Sequence, residues 1–141
     1  MSVEANIEVV RRFGEALTAR DWTAFDELVA EGCEWTDVPS GQTMRGRDEL
    51  IVACRSFTAA FPDFRIESIT LIGQGDLVAN EWSARGTHEG PLARPDGGHH
   101  EPTGRSFARC GVVIVELRDN QIVRYRDHFD RQTMMEQLGF D

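Results

Sequence analysis

Hydrophobic residues recur at three- and four-residue steps through the first part of the chain and at two-residue steps through the rest. Val3, Ile7, Val10, Phe13 and Leu17 predict an amphipathic helix over Ser2 to Arg20. Asp21 is placed to cap a second helix that carries Phe25, Leu28 and Val29 and ends at Gly32. Cys33 to Val38 alternates as a short strand, and Pro39, Gly41 and Gly46 mark the turn-rich stretch behind it. Asp48 is expected to cap a third helix with Leu50, Ile51, Cys54, Phe57 and Phe61 on its apolar face and Pro62 at its end.

From Phe64 the period is two. Phe64 to Ile72, Leu77 to Thr87, Ser106 to Leu117 and Ile122 to Phe129 predict strands, with hairpin connections at 73–76 and 118–121. Met134, Met135 and Leu138 suggest a short closing helix, and the Pro- and Gly-rich stretch from Gly90 to Gly104 reads as the one long loop. Helices grouped early and strands grouped late predict an α+β fold, with the helices on one face of a curved, mostly antiparallel sheet that leaves a pocket between the two layers. Residues 1–141 are expected to form one domain.

Composition narrows the chemistry. A net charge of −9 repels phosphate backbones and anionic membrane surfaces, so neither nucleic acid nor membrane is an expected partner. No apolar run is long enough to span a bilayer, and Met1 to Val10 lacks the pattern of a secretory leader, which predicts a cytoplasmic protein. All 15 basic residues are Arg, so no lysine is available for Schiff-base or phosphate-loop chemistry. Cys33, Cys54 and Cys110 sit in apolar patterns and are expected to be buried reduced thiols. His99, His100 and Glu101 are adjacent in a loop, a poor arrangement for one ion, and no metal site is expected.

Candidate chemistry gathers on the strands. Alternation sets Tyr125, Asp127 and Phe129 on one face of the last strand and Arg126 and His128 on the other. An acid between two aromatics suits a general acid or base, since desolvation raises a carboxyl pKa toward neutral; a structural bridge is the alternative. That bridge would be to Arg109, a charged member of the row Phe107, Arg109, Gly111, Val113, Val115. Trp35 and Asp37 share a face, where Asp37 either starts a turn or holds a water or substrate hydroxyl. His88 shares parity with Asn80 and Trp82 and reaches either a pocket mouth or solvent.

The chain resembles a known family. Asn6-x-x-x-Val10-x-x-Phe13-x-x-Ala16-Leu17 with Asp21-Trp22, then Arg45-Gly46, Ala60-Phe61-Pro62-Asp63, Gly86-Thr87-His88-x-Gly90, Pro102-Thr103-Gly104-Arg105 and Gln121-Ile122-Val123 ahead of Asp127-His128-Phe129-Asp130 are similar to the SnoaL-like polyketide cyclases of the nuclear transport factor 2-like superfamily. The resemblance implies a cone-shaped α+β fold, a homodimer, a deep pocket for a small hydrophobic or polycyclic substrate, and no metal or organic cofactor. It implies an aldol ring closure or related isomerisation with Asp127 as the acid/base and His88 at the pocket rim; strand parity taken together with the resemblance adds Asp37 or His88 to orient water or substrate, and Trp35, Trp82, Phe107, Arg109, Tyr125 and Phe129 to bind it.

Weaker similarity extends to two relatives. The limonene-type epoxide hydrolases use an Asp-Arg-Asp set, and here Asn80-Glu81-Trp82-Ser83 stands where their Arg-x-Asp is expected. The ketosteroid isomerases need an oxyanion donor, for which Tyr125 is the candidate. A non-catalytic module that binds a hydrophobic ligand is the remaining alternative.

Overall fold

The computed structural model describes residues 2–140, so the terminal residues 1 and 141 of the expected domain lie outside the described residues. Helix α1 spans Val3–Ala19; Ser2 caps it by accepting from the Ala5 N–H at 3.0 Å, and the helix buries Val9, Val10, Phe13, Ala16 and Leu17. Arg20 takes the left-handed conformation, φ 55°, that ends a helix. Its guanidinium donates to the carbonyls of Thr18, Phe61, Pro62 and Phe64, tying the end of α1 to the turn before the third strand. Arg20→Ala should therefore lower stability by about 2–3 kcal/mol, because several charge-assisted bonds to backbone oxygens are lost together. Denaturant unfolding with an unchanged slope checks it.

Helix α2, Trp22–Leu28, is capped by Asp21 as expected. It stops at Leu28 and not at Gly32, because the β-branched Val29 is already extended and pairs with Ile122. Strand β1 is accordingly Val29–Asp37, and the turn-rich stretch after it holds a further strand, β2, Gln42–Arg45. Helix α3, Arg47–Ala60, begins from Gly46 at φ 94° with no side-chain cap. Asp48, the expected cap, lies with Glu49 in the first turn, where both carboxylates favour the positive end of the helix dipole.

Strands β3 (Arg65–Gln74), β4 (Leu77–Thr87), β7 (Ser106–Arg118) and β8 (Gln121–Phe129) complete the large sheet, in the order β2-β1-β8-β7-β4-β3. Every neighbouring pair is antiparallel except β1 with β8, which is parallel. Asp119 and Asn120, φ 53° and 64°, make the tight turn between β7 and β8, a conformation short polar side chains tolerate. Register shifts between Ser68 and Thr70 in β3 and between Glu116 and Leu117 in β7 bend the sheet. The curved sheet wraps around α1, α2 and α3 in a cone-like α+β architecture.

The expected long loop is not uniform: Leu92–Ala93 (β5) and His99–His100 (β6) pair as a small separate hairpin. Helix α4, Arg131–Leu138, closes the chain with Asp130 as its cap, and Gln137 accepts from the Ala108 N–H of β7. The thiols divide by environment. Cys33 is buried and Cys54 half-buried, whereas Cys110 is exposed, its parity setting it on the outer face of β7. Among the described residues no helix is long and apolar enough to cross a membrane.

Candidate active site

Between the sheet and α3 lies a cavity of about 310 Å3, lined by Trp35, Asp37, Trp82, Arg109, Tyr125, Asp127 and Phe129 from four neighbouring strands. Helix α3 contributes Cys54, Phe57 and Thr58, the small hairpin Leu92, Arg94 and His100, and α4 Arg131, Met134 and Met135. Strand parity accounts for the first group: along β4 the burial alternates strictly, with Val78, Asn80, Trp82 and Ala84 inward.

Two residues expected at the pocket are not among those lining it. Phe107 is buried, packed edge-on against Phe61 at 4.9 Å, and backs the cavity wall rather than forming it. His88 is fully buried between Phe61 and Phe140. Its Nδ1 accepts from the Thr103 N–H at 3.3 Å, and burial pushes its pKa down, with the Gly90 backbone opposing and His100 adding to the shift. A neutral histidine held in that way organises the stretch from Gly86 to Gly104; it does not meet the cavity. His99 turns instead to Glu101, at 2.9 Å, while His100 stacks on Phe140 at 4.0 Å.

Asp127 is the carboxyl of the cavity with a raised pKa. Burial raises its pKa to about 6, opposed by the Arg109 cation, assisted by Asp37, and opposed slightly by the Trp82 indole N–H. Asp37 is its direct partner across the parallel pair β1 and β8, so two carboxyls meet at one level of the sheet. The Asp37 side chain also accepts from the Ser40 N–H at 3.4 Å, so the turn and the cavity share this residue.

Arg109 sits in an aromatic cage. Its guanidinium carbon lies 4.2 Å from the Phe129 ring centre, 5.2 Å from Phe107, 5.4 Å from Trp82 and 5.7 Å from Phe57. Desolvation brings its pKa down to about 10, against the pull of Asp127, Asp37 and Tyr125, so it stays a cation at neutral pH. It does not close an ion pair with Asp127. The bridge that would make Asp127 purely structural is thus not formed, and the cage holds the cation in place without it.

Tyr125 packs against Trp35, ring centres 4.0 Å apart and planes tilted by 37°, and against Phe13 at 5.5 Å. Burial first, then Asp127, push its pKa well above the usual phenol range, so its hydroxyl keeps its proton and is available as a hydrogen-bond donor. Burial likewise pushes the Cys54 thiol up to about 12 and leaves it unreactive. The cavity therefore offers a carboxyl that exchanges a proton near neutral pH, a fixed cation, a neutral hydroxyl donor and aromatic walls.

The comparisons agree with this architecture. The model of the family SnoaL-like polyketide cyclase matches residues 7–138, and the chain belongs to that family. Among solved structures it is similar to IdmH, a proposed polyketide cyclase from Streptomyces antibioticus, at 26% identity and a TM-score of 0.78 over 95% of this chain and 98% of that one. A proposed SnoaL-like polyketide cyclase from Jannaschia sp. CCS1 matches at 21% identity and a TM-score of 0.82, covering 96% of this chain and 92% of the other. A proposed ketosteroid isomerase from Kribbella flavida DSM 17836 shares the fold at 18% identity and a TM-score of 0.70, covering 92% and 80%. No curated protein matches the sequence. Membership of this family supports a cyclase- or isomerase-type enzyme that acts on a small molecule.

Proposed function

We propose that the protein is an aldol-type cyclase or a related isomerase of a hydrophobic, polyketide-like substrate, with Asp127 as its proton-transferring residue. The observation that carries the proposal is Asp127 itself: an acid with a pKa of about 6 in an aromatic-walled cavity, beside a caged cation with which it forms no ion pair. In this reading the Asp127 carboxylate takes a proton from a carbon flanked by carbonyl groups. The enolate oxygen faces Arg109 and the Tyr125 hydroxyl, which stabilise its charge. The enolate carbon then bonds to a second carbonyl carbon, whose oxygen receives the proton back from Asp127. Asp37 keeps the Asp127 pKa high and orients a water or substrate hydroxyl. Turnover of cyclisable polyketide and isomerisable ketone substrates by wild type and Asp127→Asn tests the assignment, and a folded variant with full turnover would remove Asp127 from the mechanism.

Epoxide hydrolysis has less support. The inward positions of β4 carry Asn80 and Trp82, neither of which replaces an ion pair that would activate an epoxide oxygen and water.

The working form is proposed to be a homodimer joined through the outer face of the sheet across residues 1–141 acting as one domain. Val112, 38% exposed, and Ile72, 63% exposed, leave hydrophobic surface there that an isologous partner would cover. Sedimentation at tens of micromolar should report twice the chain mass, and a monomer at that concentration counts against the interface.

A further inference from the structure

Trp82 and Asp127 stand on strands that do not touch. Between β4 and β8 runs β7, and Trp82 is paired with Gly111, which is paired in turn with Phe129. A side chain at position 111 on the inner face would fill the space between them. A Cβ added there would come within 2.7 Å of Trp82 Cζ2, 3.0 Å of Phe129 Cβ and 2.4 Å of the His128 carbonyl oxygen. Cζ2 is on the same edge of the indole as Nε1, so the nitrogen-bearing edge of Trp82 lies over the gap that Gly111 leaves. Gly111 interrupts an otherwise bulky row of Phe107, Arg109, Val113 and Val115, and it is the position across which the indole passes.

At the far side of that gap the polar accounts do not balance unless the two groups serve each other. Trp82 Nε1, a donor on a residue only 1% exposed, is buried without a partner. Asp127 Oδ1, an acceptor, is buried without a partner as well. Buried donors and acceptors are rarely orphaned in native proteins, and here one of each sits in the same wall. Oδ2 is not among the buried, unpartnered atoms, and Asp127 lines the cavity.

We infer that Trp82 is a positioning residue: its indole N–H, reaching across the Gly111 gap, holds Asp127 Oδ1 and thereby turns Oδ2 into the cavity as the oxygen that exchanges the proton. The inference rests on the reading of Asp127 as the acid/base, and it deepens that reading by separating the work of the two oxygens. A carboxyl free to rotate would present either oxygen and lose orientation; one tethered at Oδ1 is held ready. The slight lowering of the Asp127 pKa by Trp82 is in accord, since a donor to a carboxylate favours its charged form. The other titratable or charged groups facing this carboxyl are Asp37 from β1, Arg109 from β7, Tyr125 from β8, Cys54 from α3, Arg131 from α4, and Arg94 and His100 from the small hairpin.

The chain has three tryptophans, so a 15N-labelled sample gives three indole N–H signals, assigned with Trp82→Phe or, should that variant not fold, by elimination with Trp22→Phe and Trp35→Phe. The experiment is a pH titration of the wild-type protein without any substrate. The Trp82 signal is expected to move with a midpoint near the Asp127 pKa of about 6. That movement should vanish in Asp127→Asn. A Trp82 signal that stays flat through this range, or one that titrates unchanged in Asp127→Asn, overturns the inference. Neither result depends on turnover, so the loss of the contact and the loss of the catalytic reading are told apart. With a substrate in hand, Trp82→Phe should lower kcat with little change in KM and move the acid limb of the pH profile upward, which a packing role alone would not do.

Discussion

Asp127→Asn should give a protein that folds, turns over at least about 10²-fold more slowly, and is more stable than wild type at neutral pH. The loss of turnover follows from the proposed role of Asp127 as the proton-transferring residue, since asparagine keeps the shape but cannot exchange that proton. The gain in stability follows from the sign of the pKa shift. In the unfolded chain this carboxyl titrates near its ordinary value of 3.8, and in the fold it titrates at about 6. The fold therefore binds the proton more tightly than the unfolded chain does, and stability from this group falls as pH rises between those two values. Above the upper value the full cost is present, about 2–3 kcal/mol by the usual conversion and less where solvent entering the cavity screens the charge. Asparagine keeps the shape and never ionises. Thermal unfolding should show the variant several degrees above wild type at pH 7.5, with the difference closing toward pH 4. A variant no more stable than wild type at pH 7.5 would mean that the carboxylate is well solvated, and would remove the physical reason for treating it as a tuned acid.

Arg109→Met is expected to move the system the other way. It removes the cation that holds the Asp127 pKa down, and leaves two carboxyls paired across β1 and β8 without the positive charge that acts on both. The acid limb of the pH profile should rise above the wild-type position. Turnover at neutral pH should fall by about 10²-fold, since a donor aimed at the developing enolate is lost. Stability should become more dependent on pH, lowest where Asp127 is ionised. Arg109→Lys should restore little of this, because an ammonium on a flexible stem does not stack between flat rings as a guanidinium does. An unchanged acid limb in Arg109→Met would show that the cage isolates this charge from Asp127.

How much of this was legible in the sequence depends on what kind of information each residue's position required. Which face a side chain takes is fixed by the two-residue repeat, and that repeat sufficed to set Trp35, Asp37, Tyr125, Asp127 and Phe129 on the inner face. How deep along the strand a residue sits is a tertiary matter. Phe107 has the right parity, but Phe57 of α3 and Phe61 just after it cover it, and His88 is enclosed by Phe61 and Phe140, contacts that no local pattern records. The walls supplied by Arg94, His100, Arg131 and Met135 come from a short hairpin and the closing helix, which reach the cavity by packing rather than by any sequence period. Gly111 was visible as one member of an inward row, but its purpose appears only beside the indole that crosses it. The early end of α2 and the addition of β2 have one cause: pairing within the sheet outweighed the local preferences for helix and turn.

The parallel pair of β1 and β8 brings together segments far apart in the sequence, with Asp37 set directly against Asp127. Contacts of such long sequence separation carry the largest loop-closure entropy and slow the folding of topologies that depend on them. A ribosome-bound chain lacking its last strand holds the first acid and not the second, so no partial product of synthesis has a working cavity. Where the proposed turnover is found, its regain after dilution from denaturant should report the docking of that final strand.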